Sequence, residues 1–220
     1  MPADAPPPRR RTQEERRAES DRRMLRAAIR LLARHGVAGA SLQRIGTEAG
    51  YSRALPAERF GSRVHLFEAV VRVTEAWFDR RLAPRLEGLS GTAALRERVR
   101  AHLESVRDSS EAAVALYQLM IAATSGDPEL RPTIAALNLR YAAGLRAHLA
   151  EAEAAGEIPS GRPTDEVARR IVAGMHGACV TALAEGAADR LSADADHLVD
   201  AALAELRGGG AAAAAWRTAR

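Results

Sequence analysis

The chain has 220 residues, of which 47% are hydrophobic and 27% charged, an ordinary composition for a globular protein that can bury a sizeable core. Its single cysteine, Cys179, excludes an internal disulfide and a cysteine-based metal site. Aromatic residues make up only 4% and alanine is abundant, which favours closely packed helices over a sheet. We therefore predict an all-α fold of roughly nine helices.

The net charge of +4 is distributed unevenly. Residues 1–70 hold 14 Arg and 8 acidic residues, whereas residues 71–220 hold 18 Arg and 20 acidic residues. A basic amino-terminal third favours nucleic-acid binding at one end of the molecule, although solvated helix faces explain charge alone equally well. The start MPADAPPPRRR lacks the apolar core of a signal peptide, and no run approaches the ~20 apolar residues of a membrane span. We expect a cytoplasmic protein that does not enter a membrane.

Residues 1–17 are rich in Pro and Arg and are predicted to form a disordered basic arm. Such an arm can follow a minor groove or phosphates, or simply keep the protein soluble. The first helix is predicted from Ser20 to His35, because apolar residues recur there at helical spacing, and Gly36 is its predicted C-cap. Its inward face comprises Leu25, Ala28, Ile29 and Leu32.

The stretch from Ser41 to Arg63 reads as two short helices around a tight turn. Ser41 is a good N-cap, and Gly50 stands where a left-handed residue would end the helix. Ser52 can cap a second helix that runs to about Phe60. A short helix, a glycine turn and a short polar helix are typical of a helix-turn-helix, which we assign to residues 18–62.

The second of these helices carries the predicted chemistry. Pro56 and Phe60 are expected to face inward, which leaves the other side for a ligand. Arg53 is predicted to bond guanine O6 and N7, and Leu55 to contact a thymine methyl. Glu58 is expected either to accept from a cytosine amine or to pair with a neighbouring arginine, Arg59 or Arg44. Contacts to the DNA backbone are predicted for Ser41, Arg44, Ser52, Arg59 and Arg63.

Ser62 is predicted to cap a fourth helix that reaches about Leu82, long enough at ~1.5 Å per residue to join the helix-turn-helix to the rest of the chain. A break at 84–91 separates it from further helices. These are predicted over residues 92–107, 110–124, 128–155, 164–185 and 192–206. The inward face of the long helix 128–155 is expected to comprise Leu130, Ile134, Leu137, Tyr141, Leu145 and Leu149. Residues 207–220 are predicted to be a flexible tail.

The residues from the first helix to the start of the fourth resemble the tetracycline-repressor (TetR) family of transcription regulators. The matching residues are Arg23-Met24-Leu25, Ala27-Ala28, His35-Gly36, Ser41, Ile45, Ala49-Gly50, Ser52, Phe60, Gly61-Ser62-Arg63, Leu66 and Phe67. The chain departs from the usual pattern at Tyr51, which we nevertheless count among the DNA-binding residues, and at 55–57, where the family usually has Thr-Leu-Tyr. The resemblance covers about residues 20–70.

The resemblance implies that residues 63–206 bind a small-molecule effector and form a homodimer on double-stranded operator DNA, as a repressor that the effector releases. A dimer also follows from the motif, since operator recognition needs two heads about 34–36 Å apart. The predicted dimer interface is Val167, Ile171, Met175, Ala178, Ala182, Leu198, Ala202 and Leu206, with the protomer's own core as the alternative. The predicted effector-binding residues are Trp77, Leu116, Tyr117, Met120, Asn138, Tyr141, Met175, His176 and Cys179, each of which is otherwise ordinary core.

Enzymatic motifs are missing from the sequence: it has no Gly-rich phosphate loop, no His-Glu-x-x-His and no Gly-x-Ser-x-Gly. We expect no catalysis, no cofactor and no metal. Two other functions remain open. In one, the helix-turn-helix serves a helical scaffold that binds protein; in the other, the chain is a DNA-binding regulator without an effector, and the middle helices would enclose no cavity.

Overall fold

The computed structural model describes residues 12–208, and all regular structure in that range is helical, as predicted. The α-helices, nine in this range, are α1 (Gln13–Gly39), α2 (Leu42–Glu48), α3 (Leu55–Phe60), α4 (Arg63–Leu82), α5 (Gly91–Asp108), α6 (Ser110–Ser125), α7 (Arg131–Ala154), α8 (Thr164–Glu185) and α9 (Leu191–Gly208). Three 3₁₀ turns stand at Ala83–Arg85, Pro128–Leu130 and Ala188–Arg190.

Helix α1 begins at Gln13 rather than at Ser20, so residues 13–17 are helical and the prediction that they are disordered is wrong. The cause is a capping box. The Thr12 hydroxyl accepts from the Glu15 amide at 3.1 Å, and the Glu15 carboxylate accepts from the Thr12 amide at 2.8 Å. The rest of the predicted arm lies outside the described residues. At the other end α9 continues to Gly208, and the remainder of the predicted tail is also outside them.

Gly36 ends the continuous part of α1, as predicted, because its φ of 63° and ψ of −174° are not helical. A residue with a side chain would be strained there. The following turn, residues 37–39, leads to Ser41, whose hydroxyl accepts from the Arg44 amide at 3.3 Å and caps α2. Ser62 caps α4 in the same way, accepting from the His65 amide at 3.1 Å. These caps fix where the short amino-terminal helices begin.

The buried apolar residues form one continuous cluster that runs from the three amino-terminal helices into the bundle. In the amino-terminal part it includes Met24, Leu32, Ile45, Leu66 and Phe67, all fully buried. In the bundle, the predicted inward face of α7 is confirmed, since its six residues from Leu130 to Leu149 are all buried. The division of the chain at residue 62 remains a prediction, because α4 takes part in both halves of this core.

Two packing relations position the site. Helix α1 packs most extensively on α6, and α4 runs from the helix-turn-helix into the bundle, where it meets α5, α6 and α7. In the bundle, α5 packs on α7 and α9, and α8 lies against α7 and α9. Helices α1 and α4 are therefore the packed connections between the helix-turn-helix and the bundle.

Candidate nucleic-acid interface

The turn between α2 and α3 depends on two glycines. Gly50 has a φ of 78° and ends α2, and the Tyr51 amide donates back to the Gly46 carbonyl at 2.9 Å. Gly46 allows the two helices to approach closely, since a Cβ there would lie 2.5 Å from the Ser52 carbonyl oxygen. Sequence reasoning missed Gly46. The signal available was a glycine inside a short helix, where it otherwise lowers stability.

Helix α3 turns one side to solvent. Its inward residue Pro56 is buried as predicted, whereas Ser52, Arg53, Ala57 and Glu58 are exposed. The Ser52 hydroxyl accepts from the Leu55 amide at 3.2 Å, so it caps the turn even though the helix itself starts at Leu55. This outer side of α3 is therefore accessible to solvent.

Three predicted DNA-facing residues are less exposed than expected. Leu55 and Tyr51 are half-buried and pack against the core, as does Phe60, which is predicted to face inward. Only part of the Leu55 side chain is left to meet a base. Ser41 is also half-buried, because its hydroxyl is engaged in capping α2.

Arg59 is predicted as a DNA-backbone contact, and the structure shows its guanidinium in an ion pair within the protein. Its guanidinium binds the Asp21 carboxylate of α1 in a bidentate pair, with Nε–Oδ1 at 2.9 Å and Nη2–Oδ2 at 2.6 Å. The hydrogen bond from Asp21 raises the pKa of Arg59 above its usual value. Arg59 therefore fastens α3 to α1, and the predicted pairing of Glu58 with Arg59 or Arg44 is not found within residues 12–208.

Arg63 is likewise committed inside the protein. Its Nη2 lies 2.5 Å from the Asp127 Oδ1, in the connection between α6 and α7, and its guanidinium stands 5.6 Å from the Phe67 ring. This ion pair joins the first turn of α4 to the bundle. Among the arginines predicted to meet DNA, Arg44 and Arg53 are exposed and have no ion-pair partner in the described part of the chain.

The predicted dimer seam lies inside the protomer. Its large members are buried without any second copy, and Ala178 and Leu198 are the exceptions, each only half-buried. The buried members are Val167, Ile171, Met175, Ala182, Ala202 and Leu206. The assignment of these six to an interface is therefore wrong, and the alternative of intramolecular core is correct.

The outer face of α8 carries mainly small residues instead. Ala173, Gly177 and Thr181 are exposed, Val180 is 43% exposed, and Ala201 of α9 is exposed beside them. A groove of about 430 Å³ lies between the two helices, and a Cβ on Gly177 would meet nothing within 4 Å. Small residues on a helix face permit close approach of another helix.

A second cavity, of about 30 Å³, lies among α4, α5, α6 and α7. Of the predicted effector residues it is lined by Trp77, Leu116, Tyr117 and Tyr141, and the structure does not bring the other five to its wall. Cys179 lies behind that wall, where burial raises the pKa of its thiol to about 11. Met175 is buried, His176 packs edge-on against Tyr117, and Asn138 has a buried oxygen without a partner. Met120 is half-buried.

Sequence reasoning missed the polar wall of this cavity. His102 is 5% exposed and sits between the rings of Phe78 and Tyr141, with centroids 5.4 and 5.2 Å away. Burial lowers the pKa of His102 to about 3, so its imidazole is neutral. The available signal was a histidine on an otherwise apolar helix face, at Ala101-His102-Leu103, which is more often plain core.

Within residues 12–208, no group of three or more His, Cys, Asp or Glu side chains converges as metal ligands do. No helix in the same range combines the length and apolar character needed to cross a membrane.

The amino-terminal geometry is that of a helix-turn-helix whose second helix, α3, has an exposed outer side. Residues 24–70 match the family described as bacterial regulatory proteins, tetR family. The predicted resemblance to this family of transcription regulators is confirmed over those residues. No curated protein matches the chain.

Solved structures share the fold over most of the chain. A putative TetR-family regulator from Rhodococcus sp. is 20% identical, with a TM-score of 0.73 over 84% of this chain and 96% of that one. The fatty acid degradation regulator FadR from Bacillus halodurans is 17% identical, with a TM-score of 0.75 over 86% and 96%. SmeT, in a complex with triclosan, is 20% identical, with a TM-score of 0.70 over 86% and 93%. At this identity the likeness concerns the fold alone.

Proposed function

We propose that this regulator is a repressor that binds operator DNA as a homodimer and releases it when a small molecule binds in the bundle. The observation that carries the proposal is the outer side of α3, where Arg53 and Glu58 are exposed and unpaired within residues 12–208 while Arg59 holds the helix against α1. A rigidly mounted helix with free polar side chains is what base reading in a major groove requires.

The proposed roles follow from exposure. Arg53 donates to guanine O6 and N7, and Glu58 accepts from a cytosine amine. Arg44 and Ser52 contact phosphates, together with the amide groups at the start of α2 that Ser41 caps. Arg59 and Arg63 act indirectly, by fixing α3 and α4 to the rest of the protein.

The proposed dimer uses the small-residue face of α8 and α9, defined by Ala173, Gly177, Val180, Thr181 and Ala201. The occupant we propose is the same face of a second copy, because close helix packing needs small residues on both sides and because one short reading helix makes too few contacts for high specificity. A twofold pair would present two α3 helices to one side of the DNA.

The proposed effector site is the cavity lined by α4, α5, α6 and α7. Trp77 and Phe78 of α4 form one wall, and Leu116 and Tyr117 of α6 form another. A molecule that enlarges this cavity separates α4 from α6, and α4 carries Arg63 at its other end. The coupling must be reciprocal, so DNA must weaken effector binding by the same factor.

Binding to selected DNA tests the proposal. Sequences enriched from a random pool by the purified protein should be bound specifically, with two protomers per site and an affinity that falls steeply as salt rises. Arg53→Ala should lose about 1–3 kcal/mol of discrimination between specific and scrambled DNA. Arg80→Ala is the matched control, since Arg80 is an exposed α4 arginine facing away from the reading helix and the charge change is identical.

Three results would contradict parts of the proposal. A pool that yields no enriched sequence at low salt favours the scaffold function. Equal discrimination by the Arg53→Ala and Arg80→Ala variants rejects the base-reading role of Arg53. Specific binding that no compound from a broad small-molecule library weakens favours the regulator without an effector.

A further inference from the structure

The small cavity among α4–α7 is lined mainly by apolar and aromatic side chains, and its polar residues besides the two tyrosines are Thr74, His102, Ser105 and Ser109. Thr74, Trp77 and Phe78 come from α4, His102 and Val106 from α5, and Leu116, Tyr117 and Tyr141 from α6 and α7. Both ring nitrogens of His102 and the Thr74 hydroxyl are buried and have no hydrogen-bond partner within residues 12–208. A buried polar group left unpaired costs about 1–3 kcal/mol, so a ligand that pairs with it recovers that energy.

The orientation of His102 is fixed by its neighbours. Its ring stands edge-on to Phe78 and to Tyr141, at interplanar angles of 77° and 81°. Those two rings are themselves perpendicular, with centroids 6.1 Å apart. The imidazole therefore keeps one position on the cavity wall, as a specificity-determining group must.

The titratable side chains that line the cavity, His102, Tyr117 and Tyr141, are uncharged at neutral pH, and the charged Arg98 guanidinium of α5 acts on both His102 and Tyr141. Burial lowers the pKa of His102 to about 3 and lowers the pKa of His176. Burial also raises the pKa of Tyr117 and of Tyr141 above the ordinary tyrosine value. A charged ligand would incur the same penalty, because it would lose its hydration in the same apolar space.

We propose that the effector is an uncharged molecule with a compact, ring-sized apolar body and a hydroxyl group that bonds to His102 and Thr74. This inference rests on the proposed effector function and names the chemistry that the site selects. A neutral imidazole offers one donor and one acceptor, and a hydroxyl can satisfy either of them while pairing with Thr74. The aromatic side chains Trp77, Phe78 and Tyr117 receive the apolar body.

Size connects this chemistry to regulation. A cavity of about 30 Å³ holds roughly two water molecules, which is less than a ring requires. Entry of a ring must therefore move the α4 wall, with Trp77 and Phe78, away from the α6 wall, with Leu116. Since α1 packs on α6 and α4 leads into the helix-turn-helix, the movement required for binding is one that reaches the DNA-binding helices.

Three probes with the same ring test the inference: toluene, benzyl alcohol and benzoate. In the full chain carrying Trp216→Phe, Trp77 is the one remaining tryptophan, so its fluorescence reports binding at the cavity wall. At neutral pH and without DNA, benzyl alcohol should bind roughly threefold to tenfold tighter than toluene, the value of one neutral hydrogen bond. Benzoate should bind more weakly than either.

His102→Phe keeps a ring in place and removes the nitrogens. It should abolish the preference for benzyl alcohol over toluene while leaving toluene binding intact. His148→Phe is the matched control, because His148 of α7 also has a buried, unpartnered ring nitrogen but does not line the cavity. That variant should keep the preference.

The inference is overturned if toluene and benzyl alcohol bind the unsubstituted site equally, if benzoate binds best, if His102→Phe keeps the preference, or if none of the three probes binds. Because these titrations contain no DNA, their failure is separate from failure of DNA binding. If the protein binds DNA specifically but shows no preference among the three probes, the proposed DNA-binding function is retained and the proposed effector chemistry is rejected.

Discussion

Helices α3 and α8 use exposure in opposite ways. In α3 the residues with chemistry, Arg53 and Glu58, face solvent, and the small inward face consists of little more than Pro56 and half-buried Leu55. In α8 most of the large apolar residues are buried, and the exposed face carries the small residues Ala173 and Gly177, with Arg169 and Arg170 nearer the start of the helix. A helix that recognises DNA bases needs exposed polar side chains, whereas a helix that packs closely against a second helix needs small exposed residues.

Two helical glycines, Gly46 and Gly177, also differ in what surrounds them. Gly46 in α2 is surrounded by its own chain, with the Ser52 carbonyl and Pro56 where a side chain would go, whereas Gly177 in α8 faces open space. If α8 does pair with a second copy, the two glycines serve the same purpose, one within the protomer and one between protomers. The predictions below test whether this comparison holds.

The largest effect is expected from Gly177→Arg. The protomer has room for this side chain, so the free energy of unfolding measured for the isolated chain should change little. The dimer should be lost, and DNA affinity should fall by roughly a hundredfold or more, because one head alone makes too few contacts. Analytical ultracentrifugation and DNA titration measure the two effects.

Ala135→Arg is the control for this substitution, because Ala135 is an exposed small residue on α7. It should leave both the dimer and DNA binding intact. A dimer that survives Gly177→Arg would place the interface elsewhere.

Gly46→Ala should have the next largest effect. The added methyl would stand 2.5 Å from the Ser52 carbonyl oxygen, so α3 must move away from α2, at a cost of about 1–3 kcal/mol. DNA affinity should fall roughly tenfold or more, while the dimer persists. Gly177→Ala, where the methyl meets nothing within the protomer, should leave the thermal stability of the protomer unchanged or slightly improved, and an equal change of thermal stability in the two alanine variants would contradict the close packing at Gly46.

His102 should make the protein sensitive to acid. Its pKa is about 3 when folded and about 6.5 when unfolded, so below about pH 6.5 the unfolded chain binds a proton that the folded chain does not. Stability contributed by the neutral ring is therefore complete above that pH and is lost as pH falls, by roughly 2 kcal/mol at about pH 5. Urea unfolding at both pH values measures this loss.

His102→Phe should reduce the acid sensitivity by most of that amount. An unchanged pH dependence in His102→Phe would show that the ring is already accessible to protons in the folded protein.

The smallest effect concerns the Arg59–Asp21 pair, whose side chains are about one-third exposed. Asp21→Asn and Arg59→Ala should each lower the free energy of unfolding by about 1 kcal/mol or less, and the double variant should lose little more than either. Both should weaken DNA binding slightly and to a similar degree. A much larger loss of DNA affinity in Arg59→Ala than in Asp21→Asn would instead mean that Arg59 contacts DNA directly.

The sequence alone determined the helices and the helix-turn-helix, because their signals are local. Ser41, Gly50 and Ser62 act on backbone groups within a few residues of themselves, and the inward face of α7 follows from helical spacing. The start of α1 was also readable, from the capping box of Thr12 and Glu15. The nine helices and the exposed side of α3 were therefore predictable from residues close together in the chain.

Only the tertiary structure showed which residues these helices contact in the folded protein. The partner of Arg59 lies 38 residues away and that of Arg63 lies 64 residues away, so no local pattern revealed that either arginine is occupied. The periodicity of α8 identified an apolar face but could not show which surface covers that face. The large residues lie in the protomer's own core, because burying large apolar side chains contributes the most free energy to folding. His102 became a cavity wall only because α4 and α7 bring Phe78 and Tyr141 to its two sides.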